Sequence, residues 1–229
     1  RIYQLEAQEL YAAQNRHLQF MNQWVHQMKT PLAVLELMLQ DPDELDKKGV
    51  QEEVERLKHG LEMVLMNARL DTFEEDMHIE KVDLKHLVME VVNQNKRLFI
   101  TNRVFPNVEI AEETLVMTDS KWMKFIIGQF ITNAVKYTFE EGKKVYITTE
   151  TSANEVKLHV RDEGIGIPST DLKRVKKAFF TGENGRKSGE STGMGLYLAD
   201  EICHKLGHTL TIDSAVDAGT TVTVTFNLS

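Results

Sequence analysis

Cysteine is nearly missing from this 229-residue chain, Cys203 being the only one. That excludes an intramolecular disulfide framework and fits a reducing compartment. Basic runs are missing too: Lys and Arg are scattered among acids at a formal net charge of −8, which argues against a nucleic-acid surface. No apolar stretch reaches the roughly 18 residues that a membrane-spanning helix needs, and no signal-peptide pattern opens the chain. The expectation is a soluble, cytoplasmic fragment. Because the chain opens at Arg1, without methionine and inside what reads as a helix, a membrane sensor is expected upstream, with this region on the cytoplasmic face of the membrane. Glycine is almost absent before residue 72. What is present, 41% hydrophobic residues, suffices for one large domain or two modest ones.

Apolar residues in the first third fall at helical spacing. Tyr11, Leu18, Val25, Leu32 and Leu39 recur at seven-residue intervals, with Met21, Met28 and Leu35 three positions after members of that series, the pattern of a heptad seam. A second series, Val50, Leu57 and Val64 with Val54, Leu61 and Ala68, follows the break at QDPDEL. There Asp41 suits a cap and Pro42 the first turn of the next helix. The unit reads as a helical hairpin. Two narrow stripes cannot enclose a core, so residues 1–75 are expected to form a homodimeric four-helix bundle; the alternative is a monomeric hairpin packed on the rest of the chain.

TFEEDMHIEK, a charged stretch, reads as a flexible linker, and residues 80–229 as a second domain. VDLKHLVMEVVNQNKRLF, DSKWMKFIIGQFITNAVKYT and TGMGLYLADEICHKLG have helical periodicity. NVEIAE, TLVMTD, KKVYITTETS, NEVKLHVRD, HTLTIDSAV and TTVTVTFNL have the character of strands. The expectation is a two-layer α+β sandwich with helices covering a mixed sheet. Between them PSTDLKRVKKAFFTGENGRKSGEST is a long, basic, glycine-bearing loop of a kind that usually carries function.

Chemistry is suggested at four places. In WVHQMKTPL, His26 neighbours Val25 on the seam, so its imidazole flanks the seam and faces water, where a neutral ring nitrogen is able to attack phosphorus. Thr30 lies one turn further on the same face. Pro31 lacks an amide hydrogen for the carbonyl four residues back, costs about 3 kcal/mol in a helix, and is expected to soften the helix beside the ring. RDEGIGIP follows a strand with an aspartate and two glycines, allowing a sharp turn against a flat ligand. STGMGLYLA sets two glycines at a helix start, where unpaired amides and the dipole favour phosphate. ITNAVKYT sets Asn133, Lys136 and Tyr137 on about one turn: an oxygen for Mg²⁺, a charge for phosphate, a ring face for adenine or ribose.

HQMKTPL, ITNAVKYT, DEGIGI, AFFTGENGRK, TGMGL and AGTT, in this order over nearly the whole chain, resemble the cytoplasmic region of bacterial sensor histidine kinases. The sequence is further similar to the transporter-associated, bacitracin-resistance-type kinases of Firmicutes. The resemblance implies a dimerisation and phosphotransfer domain followed by a catalytic domain of the histidine kinase/gyrase ATP-binding type. It implies ATP and Mg²⁺ as cofactors, a homodimer, a response-regulator receiver domain as partner, and a peptide-antibiotic ABC transporter as a further one. By the same resemblance His26 is the phosphoacceptor, Asn133 the Mg²⁺ ligand and Asp162 the acceptor for the adenine amino group. Gly164 and Gly166 shape the pocket; Gly193 and Gly195 hold phosphate. The loop from about Pro168 to Thr192 is the ATP lid, with Phe179 and Phe180 as its latch and Arg186 or Lys187 reaching phosphate. Thr221 lines the adenine site, and Thr30 orients water for dephosphorylating the partner.

Two departures stand out. Gln27 occupies the place where many relatives carry a carboxylate; an amide orients the imidazole but is no base at neutral pH. Gln129, one turn before Asn133, replaces the water-activating glutamate of gyrase-like ATPases, so free ATP hydrolysis is expected to be slow. Two other readings stay open: an ATP-binding conformational switch that forms no phosphoprotein, and a degenerate kinase acting as a binding module.

Overall fold

The computed structural model describes residues 2–40, 46–70, 72–182, 185 and 191–228, without the side chains of residues 2–7, 9, 10, 12, 13 and 16. It divides into two compact units, Arg1–Ala68 and Arg69–Ser229.

The first unit is a helical hairpin. Helix α1 (Ile2–Met38) runs through Pro31 without interruption, and α2 spans Lys47–Leu70. The break at Asp41 and Pro42 lies outside the described residues. The two helices approach where α2 is small: a Cβ at Gly60 would overlap Met28, one at Gly49 would lie 2.8 Å from the Met38 methyl, and the Trp24 indole donates to the Gly60 carbonyl at 2.9 Å. The buried positions of α2, Gly49, Glu53, Gly60, Met63 and Leu70, belong to neither apolar series of the sequence. The two sets of α1 therefore separate. Met21, Met28 and Leu35 are half-buried, whereas Tyr11, Leu18, Val25, Leu32 and Leu39 are 43–69% exposed.

The second unit is an α+β sandwich. Its five-stranded mixed sheet has the order β2-β4-β5-β7-β6, built from β2 (Phe105–Glu109), β4 (Lys144–Thr151), β5 (Glu155–Asp162), β6 (Thr209–Ala215) and β7 (Gly219–Asn227). Only β2 and β4 pair in parallel. Strand alternation sets the inward face: Val156, Leu158 and Val160 of β5 and Val222, Val224 and Phe226 of β7 are buried. Against it lie α6 (Ser120–Lys136), which begins on Asp119 accepting from the Lys121 and Trp122 amides at 2.9 and 3.0 Å, and, after the short α7 (Ser169–Leu172), α8 (Gly195–Lys205). Along α6, Trp122, Met123, Ile126, Ile127, Phe130, Ile131 and Ala134 recur at three- and four-residue spacing and are all buried. The long helix expected at 82–99 is two, α4 (Leu84–Gln94) and α5 (Lys96–Asn102), because the Asn95 amide side chain caps the Val91 carbonyl at 2.9 Å.

The charged stretch after α2 is not a free linker. Helix α3 (Phe73–Asp76) turns Glu74, Glu75 and Asp76 to solvent but buries Phe73 to 2% exposure. Its ring packs on Trp122 with centroids 4.9 Å apart, and the Lys205 ammonium lies 5.4 Å from the ring centre on the same unit. The His78 amide donates to Asp119 at 2.7 Å. Next comes a short strand, β1 (Glu80–Asp83), paired with β3 (Leu115–Thr118) in a separate antiparallel ribbon. Among the described residues no helix is long and apolar enough to cross a membrane.

Candidate active site

The alternation that buries Val156, Leu158 and Val160 carries on to Asp162, which is 6% exposed at the inward end of β5. Its Oδ1 accepts from the Gly164 amide at 2.9 Å and the Thr220 amide at 3.1 Å, and among the described residues Oδ2 has no hydrogen-bond partner. Burial pushes the Asp162 carboxyl up to about 6, against the opposing pull of those two amides. The following turn is laced to its surroundings: Ile165 donates to the Tyr137 carbonyl at 3.1 Å, Asp217 to the Ile165 carbonyl at 2.9 Å, and Ile167 to Ser214 Oγ at 2.8 Å. Gly166 has φ +68°, and a Cβ there would overlap the Ala215 carbonyl, so only glycine fits.

Asn133 and Lys136 are half-buried on the last turns of α6, and Tyr137 ends that helix. The Lys136 ammonium lies 5.9 Å from the Tyr137 ring centre, and the Tyr137 hydroxyl pairs with Ser191 Oγ at 2.6 Å. Gly195 is the first residue of α8, and a Cβ there would overlap the Gln129 side-chain oxygen. Gly193 has φ +67°, and a Cβ there would come within 2.6–2.8 Å of the Phe179 and Phe180 backbone. Phe179 itself has φ +61° and donates its amide to the Gly193 carbonyl at 3.0 Å. The Phe180 ring lies 4.4 Å under the Arg174 guanidinium. Asn133, Lys136, Tyr137, Asp162 and the glycines are thus brought to one end of the sandwich by a backbone that has no room for a Cβ. Such a frame fits a flat base against Asp162 and phosphates at the start of α8.

The register moves one expected residue. Thr221 stands opposite Arg161 of β5 and Asp213 of β6, on the face away from Asp162. Thr220 takes its place, through its amide to Asp162 and its hydroxyl 2.9 Å from Ser214 Oγ. A strand inverts its faces at each residue, so a one-position error exchanges them. Ser191 was also not foreseen, and nothing in its glycine-rich context marks it. Arg186 and Lys187 lie outside the described residues. Among the described residues no cluster of three or more His, Cys, Asp or Glu is arranged to hold a metal ion. On the other unit His26 and Thr30 are exposed, Gln27 is half-buried and Pro31 is buried.

Residues 118–229 match the family of histidine kinase-, DNA gyrase B- and HSP90-like ATPases. Over 226 residues, 99% of this chain and 70% of the relative, the sequence is 42% identical to the sensor histidine kinase YxdK of Bacillus subtilis strain 168. The chain belongs to the sensor histidine kinases. This agrees with its resemblance to transporter-associated kinases of Firmicutes, and it makes the chain an ATP-dependent protein-histidine kinase of two-component signalling. Solved histidine kinases share the fold. Acinetobacter baumannii AdeS superposes with a TM-score of 0.70 at 24% identity, covering 89% of this chain and 98% of that one. ThkA, solved in complex with the response regulator protein TrrA, gives 0.68 at 18% identity over 90% of this chain and 60% of its own.

Proposed function

We infer that this kinase phosphorylates itself on His26 with ATP held in the pocket around Asp162, and passes the phosphoryl group to an aspartate of a response-regulator receiver domain. The observation that carries the reading is Asp162: a buried carboxylate whose Oδ1 is saturated by backbone amides and whose Oδ2 is left for the donor of a flat ligand. Asn133 would hold Mg²⁺, which neutralises phosphate charge when bound; Lys136 adds a second positive charge, and Gly193 and Gly195 let backbone approach the phosphates. A His26 ring nitrogen attacks the γ-phosphorus, the bond to the ADP oxygen breaks, ADP leaves, and the ring proton passes to water or a phosphate oxygen. Positioning and charge stabilisation supply most of the rate. Gln27 orients the ring, Thr30 orients water for dephosphorylating the partner, and Pro31 softens α1 where an upstream signal changes access to His26.

His26 and the pocket sit on separate units, so transfer requires the units to meet. The exposed seam from Tyr11 to Leu39 supports a homodimeric four-helix bundle as the platform. The neutral amide of Gln129 speaks against an ATP-hydrolysing conformational machine, for which a carboxylate is needed at that turn. A signal in peptide-antibiotic sensing, relayed through a partner transporter, completes the reading on the strength of the sequence resemblance.

The test is incubation of the full chain with γ-labelled ATP and Mg²⁺. The label should be lost in acid and kept in base. His26→Ala should take up none while still binding nucleotide, and Asn133→Ala should lose both. Undiminished label on His26→Ala overturns the assignment.

A further inference from the structure

Four cations crowd the stretch before the two phenylalanines, Lys173, Arg174, Lys176 and Lys177, and three of them are exposed. Lys176 turns inward. Its ammonium lies 2.8 Å from Asp200 Oδ1 and also donates to the Leu210 carbonyl. Asp200 is on α8, five residues past Gly195, and Leu210 is on β6, the strand that leads to Ser214. Three residues beyond Lys176, Phe179 is held at φ +61°, bonded to Gly193. A bulky residue in that left-handed region is strained and persists only when its surroundings hold it from more than one side. On one side stands Gly193. On the other stands the tie from Lys176.

We propose that Lys176 is a positioning residue for nucleotide binding, fixing the Phe179–Phe180 backbone against Gly193 by clamping this arm to α8 and β6. The inference rests on the reading of the glycine-framed pocket as the ATP site. The Lys176–Asp200 pair has both side chains about a third exposed, 33% and 36%. Such a pair adds little to global stability. Its removal therefore acts on the placement of the glycine loop and not on whether the unit folds.

The test uses Lys176→Met, Asp200→Asn and the double variant in the full chain, read by binding of a fluorescent ATP analogue, by KM and kcat of autophosphorylation, and by thermal melting. Each single variant should weaken analogue binding and raise KM about five- to tenfold, with kcat within about twofold. The melting midpoint should not move, and the double variant should be no worse than Lys176→Met alone, because the ammonium that makes both contacts is already gone. Unchanged affinity in Lys176→Met, additive losses in the double variant, or a loss of affinity that tracks a loss of melting temperature overturns the proposal. Asn133→Ala run alongside keeps the two readings apart. If Asn133→Ala still binds the analogue, the pocket assignment fails; if it does not and Lys176→Met binds normally, Lys176 alone is refuted.

Discussion

Along α1, Tyr11, Leu18, Val25, Leu32 and Leu39 stand open to solvent at seven-residue spacing, while along α6 Trp122, Met123, Ile126 and Ile127 have no exposure at all. Both helices carry an apolar stripe. The difference is what covers it. In the catalytic unit a five-stranded sheet lies under α6, so one chain closes its own core. In the hairpin α2 covers the face of α1 that carries Trp24 and Met28, and the other face stays exposed. On the function proposed above, phosphate capture would be divided between a self-sufficient pocket and a platform completed by association.

The sharpest way to break this comparison is to charge the seam. Leu18→Glu with Val25→Glu in the full chain should abolish the dimer in light scattering while leaving the melting transition of the catalytic unit in place; a surviving dimer would mean that the exposed stripe has another use. The converse is a cavity in the closed core. Phe130→Ala should lower the stability of the catalytic unit by about 3–5 kcal/mol, measured by denaturant unfolding, with the mass of the assembly unchanged.

Smaller effects come from pH, and both groups concerned lie in the catalytic unit. Asp162 is raised from 3.8 to about 6 by burial. Its contribution to stability is full below about 3.8 and is lost as pH rises through about 6. His208 is lowered from 6.5 to about 4, also by burial, on a ring that stacks edge-on to Phe226 and bonds Thr118 at 2.8 Å. Its contribution is present above 6.5 and lost as pH falls through about 4. The two slopes oppose each other between these values. Relative to wild type, Asp162→Asn should therefore gain stability as pH rises from about 4 to 7, and His208→Gln should gain it over the same range in the other direction, as pH falls. Parallel slopes for the two variants would contradict the burial of one group or the other.

The contrast also governs what could be read from the sequence. Heptad spacing marked both helices of the hairpin, yet α1 carries two apolar sets. The side that meets α2 could not be told apart, because α2 answers with Gly49 and Gly60, which leave no hydrophobic signature. In the catalytic unit alternation and helical period placed the main elements, and the glycine-bearing motifs lie together at one end of the sandwich. The strands at Phe105–Glu109 and Leu115–Thr118 were legible singly, but not that they belong to different sheets, since the partner of the second, Glu80–Asp83, hid in a charged run. Thr220 and Thr221 are the same residue type side by side, so only the pairing with Arg161 decides which one meets Asp162. Lys176 looked like any solvated lysine in a basic loop until its two acceptors were in view.

Phe73 has a practical corollary. A fragment trimmed to begin at residue 80, where the polar run ends, would strip the lid from Trp122 and leave an indole-floored hollow and an idle Lys205 in contact with water. Such a fragment should self-associate or melt early, and one that starts at residue 69 should not, so the natural point of excision for the ATP-binding half lies inside the last turn of the second helix.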